Sequence, residues 1–293
     1  MTDLTLWLLL FFFLTILLTG APIGAALGLS SAIVVYATMN VPLVVVAQRM
    51  FTSIDSFSFM AVPFFMLAGS FMSSGGVTKR LVDFANALVG ALAGGLALVV
   101  AVAGMFFAAL SGSSAATTAA IGVAMIDEME KRGYPKSFAA AVVARGGTVG
   151  IVIPPSITMV VYGVIAGTSI GDLFMGGFAP GILMGGATCL VSWLIARKRG
   201  YKGEGKASLA RIIRTFKDCI WALLMPVIIL GGIYGGIFTP TEAAVVAVVY
   251  SLFIGRFVYR ELDGATTYRA FRDAALVNGA TTFMIGLSMG FAQ

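Results

Sequence analysis

The sequence predicts an all-α polytopic membrane protein that contains a re-entrant helical hairpin and a broken transmembrane helix. Of its 293 residues, 59% are hydrophobic and only 11% are charged, whereas a soluble domain carries about 25% charged residues. The charged residues lie in short clusters between long apolar runs, and small polar residues or prolines interrupt two of these runs. This composition excludes the water-soluble classes of protein.

Apolar runs that are long enough to cross a bilayer recur along the chain. A crossing helix needs about 20 apolar residues, and the candidate spans are 4–19, 22–39, 54–75, 138–167, 172–196, 219–237, 241–256 and 273–292. The first positive charge is Arg49, so we interpret the first run as a membrane helix with an outer N-terminus rather than a cleaved signal. Residues 40–53 mix apolar and polar side chains and predict an interfacial arm.

The positions of the basic residues predict the hairpin. Basic clusters at 79–80, 131–136, 197–217 and 256–272 are typical of cytoplasmic loops, which also explains the net charge of +6 without nucleic acid. Between the first two clusters, 93–110 is long enough to cross, but the return leg 115–127 would rise only about 20 Å. We therefore predict a re-entrant hairpin over 93–130 that turns at "SGSS" and faces a cavity, because non-helical backbone at membrane depth needs protein or water around it.

A second interruption is predicted at 145–156, which reads "RGGTVGIVIPPS". Tandem prolines cannot continue an α-helix, because Pro155 lacks an N–H donor and restricts the backbone of Pro154. We expect a helix to about Ala144, an extended segment, and a second half-helix from Ser156. The alternative is a simple proline kink, although the three glycines in this stretch favour a true break.

Other polar or reactive residues in the apolar runs have simpler interpretations. Thr239, Pro240 and Glu242 are spaced as N-cap, N1 and N3 of a capping box; Glu242 could otherwise be a buried ion ligand. Cys189 and Cys219 lie in apolar stretches without metal-ligand spacing, which favours packing. The chain has no histidine, which excludes histidine-based metal sites, general bases and proton relays.

Two interrupted helices near the membrane centre could bind ions. Helix C-termini leave carbonyls unpaired and attract cations, whereas N-termini leave N–H groups unpaired and attract anions. The hydroxyls of Ser111, Ser113 and Ser114 and the carbonyls around Gly112 and 146–148 offer neutral oxygens that suit Na⁺. The alternatives are helix packing by small residues and a flexible turn without a ligand.

These stretches together resemble one transporter family. The chain carries "GGLALVVAVAGMFFAALSGSSAATTAAIG", then "KRGYPKSFAAAVVARGGTVGIVIPPSITMVVYGVIAGTSIGDLF", then "GGFAPGILMG" and "GGIYGGIFTPTEAAVVAVVY". They are similar to the large membrane subunit of tripartite ATP-independent periplasmic (TRAP) transporters. The resemblance implies an elevator-type secondary transporter of the bacterial inner membrane that couples Na⁺ to carboxylate uptake. It also implies two partners, a small four-helix membrane subunit and a periplasmic substrate-binding protein that delivers an organic acid.

The resemblance also assigns domains and site residues. It implies scaffold helices and the arm in 1–80, a transport-domain half in 81–170, and connecting and scaffold helices in 171–293. The expected Na⁺ site comprises Ser111, Gly112, Ser113, Gly147, Thr148 and Gly150. The expected substrate site comprises Ser113, Ser114, Thr117, Arg145, Pro154, Pro155 and Ser156.

The chain departs from the family pattern in two residues and in length. Arg145 stands where a small residue is expected; it either contacts the anion or lies nearer the cytoplasm and orients its helix, and the second interpretation is favoured. Asp127 stands where a proline is common. The family's second inverted half is missing in part, so we expect that the chain lacks about its C-terminal third.

Two other functions compete with this one. A Na⁺/divalent-anion symporter would use paired hairpins without a binding protein. A membrane enzyme or scaffold is disfavoured, because the spans contain no acidic pair or nucleophile–base pair, and a scaffold needs no opposed helix breaks.

Overall fold

The computed structural model describes residues 3–38, 42–203 and 208–292, and every regular element in these ranges is helical. The helices are α1 (Asp3–Leu18), α2 (Ile23–Thr38), α3 (Val44–Ile54), α4 (Ala61–Ser74), α5 (Val77–Val89), α6 (Gly95–Ser111), α7 (Ser114–Lys131), α8 (Lys136–Thr148), α9 (Ile157–Ala166), α10 (Ile170–Lys198), α11 (Leu209–Tyr234), α12 (Pro240–Phe253) and α13 (Gly264–Ala292). Short 3-10 turns occupy Ser58–Met60 and Val149–Ile151, and a π-helical turn follows α12 at Ile254–Val258. The predicted all-α class is confirmed.

The chain divides into two compact units. The first unit comprises 1–59 and 275–293, and the second comprises 60–274. In the first unit α1 packs beside α2, and Gly28 of α2 faces the Leu287 side chain of α13. The amphipathic helix α3 has no buried residue and covers most of the predicted arm, of which residues 40 and 41 lie outside the described ranges.

The second unit is built around α6. Most of this helix is buried, including Phe107 and Leu110. It packs against α4, α5, α7, α8 and α10, while α4 also packs against α12. The apolar residues of α6 therefore form the centre of the core, which explains why the helix has no polar face.

Membrane-crossing helices are fewer than the predicted spans. Among the described residues, four helical segments are long and apolar enough to cross a membrane: α10, α11, Pro240–Val258 and Gly264–Phe291. The predicted spans 4–19 and 22–39 form helices of 16 residues each, because the glycine and proline between them end α1 and start α2. The span predicted at 54–75 is also divided, since α4 begins only at Ala61 after a 3-10 turn.

Local sequence signals place the start of α12 correctly. The Thr239 Oγ1 accepts a hydrogen bond from the Glu242 backbone N–H at 3.3 Å, and the Thr239 N–H donates to Glu242 Oε2 at 2.8 Å. Pro240 occupies the first helical position. The predicted capping box is confirmed, and the Glu242 carboxylate is engaged by the start of its own helix.

Candidate ion and substrate site at two helix interruptions

The hairpin turns within two residues. Helix α6 ends at Ser111, Gly112 adopts a left-handed φ of +60°, and α7 begins at Ser114. Ser113 is extended and caps α7, because its Oγ accepts a hydrogen bond from the Ala116 N–H at 3.3 Å. The predicted interruption at "SGSS" is confirmed, and its glycine is the residue type that tolerates this conformation.

The return helix is longer than predicted. Helix α7 has 18 residues and rises about 27 Å, whereas the expected return leg rose about 20 Å. Its charged residues lie at its C-terminal end, from Asp127 to Lys131. The length of the apolar run thus underestimates the length of the helix, because a helix can continue through charged residues where these reach solvent.

Hydroxyl groups hold the tip of the hairpin together. The Thr117 Oγ1 donates to the Ser113 carbonyl at 2.8 Å and lies 2.9 Å from the Ser111 Oγ. The Ser111 Oγ also lies 3.3 Å from the Ser113 carbonyl oxygen, so both hydroxyls converge on that carbonyl. Ser111 and Thr117 are 2% and 0% exposed, so this network is a buried part of the tip.

The second interruption begins later than predicted. Helix α8 continues to Thr148, and a 3-10 turn follows at Val149–Ile151; the expectation that the helix ends at Ala144 is wrong. Gly146 and Gly147 stay helical because they pack closely on neighbouring helices: a Cβ added to Gly147 would lie 3.1 Å from the Ser114 carbonyl. The backbone leaves the helix only where the prolines approach, and the Pro154–Pro155 peptide bond is cis.

Helix α9 starts in the same way as α7. Ser156 is extended with φ −126° and ψ 126°, close to the −132° and 125° of Ser113. Its Oγ donates to the Ile151 carbonyl at 2.8 Å and accepts from the Met159 N–H at 3.4 Å. A true break is confirmed over a simple kink, and a serine caps the helix that follows each interruption.

The two interruptions meet along a surface that we call the seam, formed by Gly112, Ser113, Thr117, Gly150 and Pro155. The Ile157 N–H donates to the Gly112 carbonyl at 3.1 Å. A Cβ on Gly112 would lie 2.6 Å from the Pro155 carbonyl oxygen, and one on Gly150 would lie 2.9 Å from the Ser113 carbonyl oxygen. Only glycine permits this approach, so the seam brings backbone carbonyls of both interruptions together.

Two predicted site residues point elsewhere. The Arg145 Nη1 donates to the Thr148 Oγ1 at 2.6 Å, and that hydroxyl donates to the Arg145 carbonyl at 2.7 Å. Both side chains are exposed, and Arg145 lines a groove with Thr188 and Ser192 of α10. The structure therefore does not bring these two side chains to the seam, whereas Gly146 and Gly147 on the other face of α8 pack toward α6 and α7.

Residues that the sequence analysis missed pack against the helices next to the seam. A Cβ on Gly69 of α4 would lie 3.3 Å from the Ser111 Cα, and one on Gly104 of α6 would lie 3.2 Å from the Gly146 carbonyl oxygen. Thr118 lies against Gly147. The only signal for the two glycines was their presence in apolar runs, where small residues allow close helix packing.

The arrangement can attract ions of both signs. Helices α6 and α8 end near the seam, where the negative ends of their dipoles attract cations, while α7 and α9 begin there, where the positive ends attract anions. The predicted site residues at the seam are neutral, and they supply hydroxyl and carbonyl oxygens. An apolar helical chain in which two discontinuous helices meet in this way is typical of secondary transporters.

The chain belongs to the DctM component family of the tripartite ATP-independent periplasmic transporters, whose family model matches residues 10–292. The chain is therefore a multi-pass inner-membrane protein of a transporter family rather than an enzyme, as the motifs predicted.

Three relatives illustrate this family. The chain is 48% identical over 286 residues to the isethionate TRAP transporter permease protein DctMQ of Oleidesulfovibrio alaskensis. This match covers 96% of this chain and 45% of that protein. It is 41% identical to the C4-dicarboxylate TRAP transporter large permease protein DctM of Rhodobacter capsulatus, over 93% of this chain and 65% of that protein. It is 37% identical to the sialic acid TRAP transporter permease protein SiaT of Haemophilus influenzae, over 96% of this chain and 46% of that protein. The chain thus spans between 45% and 65% of the length of these relatives.

Proposed function

We propose that the chain acts in a secondary transporter that imports a small organic anion together with Na⁺. A periplasmic substrate-binding protein delivers the anion, and a small membrane subunit completes the membrane part. The seam carries the ion and part of the substrate, and it moves across the membrane with an elevator-type unit. The observation that carries this proposal is the Ile157–Gly112 hydrogen bond, which joins the two interruptions into one group of oxygens.

In this proposal Na⁺ binds neutral oxygens of both interruptions. The ligands come from Ser111, Gly112 and Ser113 on the hairpin, and from Gly147, Thr148 and Gly150 on the broken helix. Thr148 contributes only its carbonyl, since Arg145 engages its hydroxyl. Na⁺ is a hard cation, and unwound carbonyls and C-terminal helix ends coordinate it in discontinuous helices.

The substrate anion lies at the other helix ends. Helices α7 and α9 present their N-termini, and the positive ends of their helix dipoles stabilise an anion there. Ser113 and Ser114 supply hydroxyls, and Pro154 and Pro155 shape the wall. Thr117 and Ser156, whose hydroxyls donate to backbone carbonyls, hold the backbone of this part of the site in place. Arg145 lies on the α10 side, so we assign it to the orientation of α8 rather than to the anion. The relatives' names support an anionic substrate, because isethionate, C4-dicarboxylates and sialic acid are all anions.

Replacing hydroxyls at the hairpin tests the ion site. The double substitution Ser111→Ala and Ser113→Ala removes one buried hydroxyl and one cap from the tip. In the complete transporter reconstituted in liposomes, we expect Na⁺-driven uptake to fall at least about tenfold, because a lost ion contact of roughly 1.4 kcal/mol corresponds to that factor.

A matched control uses two serines in α2. Ser30 and Ser31 are buried and donate to carbonyls of their own helix, so Ser30→Ala with Ser31→Ala should leave the Na⁺ dependence of uptake unchanged. Retention of the full Na⁺ dependence by the hairpin variant would refute the site. Uptake that needs no binding protein would instead favour the Na⁺/divalent-anion symporter.

A further inference from the structure

A basic cavity lies in the second unit, away from the seam. Its volume is about 640 Å³, and it lies between α5, the first turns of α11 and the segment after the π-helical turn. Five basic and three acidic side chains line it: Lys79, Arg80, Arg211, Arg214 and Lys217, and Asp83, Asp218 and Glu261. The other lining residues are Thr215, Trp221, Val258 and Tyr259.

One of the basic side chains is fixed and forms a wall of the cavity. The Arg80 Nη1 donates to Glu261 Oε1 at 2.7 Å and to the Gly76 carbonyl at 2.8 Å. The guanidinium carbon lies 3.9 Å from the centre of the Tyr259 ring. These contacts hold Arg80 in one orientation and neutralise Glu261, so the two remaining carboxylates face four further cations.

Three of those cations share one side of α11. Arg211, Arg214 and Lys217 follow one another at three-residue spacing, which keeps neighbours close on a helix surface. They are exposed, and no carboxylate of the described residues forms an ion pair with them or with Lys79. The cavity therefore has a net positive charge and donors that are free to bind an anion.

The depth of the cavity in the membrane indicates which anion fits. From Cys219 onward α11 carries no charge up to its end at Tyr234, so its charged first turns lie where the apolar span begins. In those turns Leu209, Ile213 and Phe216 are exposed beside the cations, and Trp221 at the cavity is 44% exposed. Basic residues next to exposed apolar side chains and a tryptophan are typical of a helix at the membrane interface.

We infer that this cavity binds the phosphate headgroup of an anionic phospholipid of the cytoplasmic leaflet. The cations contact the phosphate, Trp221 lies at the glycerol level, and the acyl chains run along the apolar surface of α11. Basic pockets between membrane helices on the cytoplasmic side are suited to such headgroups. A soluble phosphate would use the same cations but would gain nothing from the exposed apolar side chains.

Lipid titration by native mass spectrometry tests this inference. The full chain is purified in a nonionic detergent and titrated with phosphatidylglycerol or with zwitterionic phosphatidylcholine. We expect retained phosphatidylglycerol and at least about tenfold weaker phosphatidylcholine. The double variant Arg211→Gln and Arg214→Gln should weaken phosphatidylglycerol binding at least about tenfold, since each cation near the surface contributes about fivefold. The control variant Lys198→Gln and Arg269→Gln removes two exposed cations elsewhere and should bind as the unaltered chain does.

Two further measurements keep the inference testable. The variant Arg211→Lys with Arg214→Lys retains both charges and should retain the lipid, which separates charge loss from misfolding. Inorganic phosphate at millimolar concentration should not displace the lipid; equal displacement by phosphate would mean a soluble anion and would overturn the inference. Unchanged phosphatidylglycerol binding by the glutamine variant would overturn it as well.

Discussion

Gly112 joins the two interruptions, since its carbonyl accepts the first N–H of α9 and its Cα faces the Pro155 carbonyl. A side chain at this position would meet two separate difficulties. The left-handed φ of +60° costs an L-residue about 1 kcal/mol, and the added Cβ would lie 2.6 Å from the Pro155 oxygen. Backbone atoms cannot rotate away as a flexible side chain can, so the two interruptions must separate.

The substitution Gly112→Ala should therefore disrupt the seam more than the backbone strain alone predicts. We expect uptake by the complete transporter to fall more than about tenfold, because a misplaced positioning group commonly costs more than that factor.

Gly133 provides the matched control for this prediction. It has a similar left-handed φ of +81°, but nothing lies within 4 Å of an added Cβ. Gly133→Ala should lower stability by about 1 kcal/mol, and the uptake rate per folded molecule should stay close to that of the unaltered chain. Equal losses of uptake in the two variants would mean that backbone strain, and not the contact with Pro155, accounts for the effect.

At the scale of the element, the start of α12 separates a structural role from an ion-binding role. Thr239 and Glu242 satisfy each other's backbone N–H groups, and the Thr239 Oγ1 also donates to the carboxylate at 2.8 Å. A glutamine at the same position can accept the N-cap N–H as well. An ion ligand, in contrast, would lose its charge with that change.

We expect Thr239→Ala to lower the free energy of unfolding by about 1 kcal/mol, measured as a lower midpoint of thermal unfolding in detergent. Glu242→Gln should preserve both this midpoint and the Na⁺ dependence of uptake. A loss of Na⁺ dependence in Glu242→Gln, with the midpoint unchanged, would show that the carboxylate binds the ion after all.

At the scale of the whole molecule, an ion bound across the seam should stabilise the fold. The ligands that we propose lie at the end of α6, on the turn between α6 and α7, on α8 and on the turn after α8, so one ion would bind groups that unfolding separates. A ligand that binds only the folded state stabilises it by about 2.7 kcal/mol at one hundred times its Kd.

Saturating Na⁺ should therefore raise the unfolding midpoint of the purified complete transporter relative to K⁺ at equal ionic strength. The Ser111→Ala and Ser113→Ala variant should lose most of this difference, while the Ser30→Ala and Ser31→Ala control keeps it. Identical midpoints in Na⁺ and K⁺ for the unaltered protein would contradict the proposed ion site.

Features that depend on neighbours in the chain were predictable from the sequence. Apolar composition identified the membrane class, "SGSS" located the hairpin turn, and the spacing of Thr239, Pro240 and Glu242 identified the capping box. These succeed because helix ends are determined by backbone groups within one turn, whose partners are encoded a few residues away.

Features that depend on packing were decided only by the tertiary structure. Helix α8 continues past Ala144 because Gly146 and Gly147 pack on α6 and α7, and Arg145 turns toward α10 because its position on α8 lies on that side. The basic cavity joins residues from α5, α11 and the segment before α13, and α5 precedes the other two by more than one hundred residues. The apolar and polar patterns of the sequence determined which segments are helical and where they are interrupted. Close contacts between helices decided which interruptions and which charged side chains come together. The sequence does not show these contacts, because they depend on the shape of surfaces from distant parts of the chain.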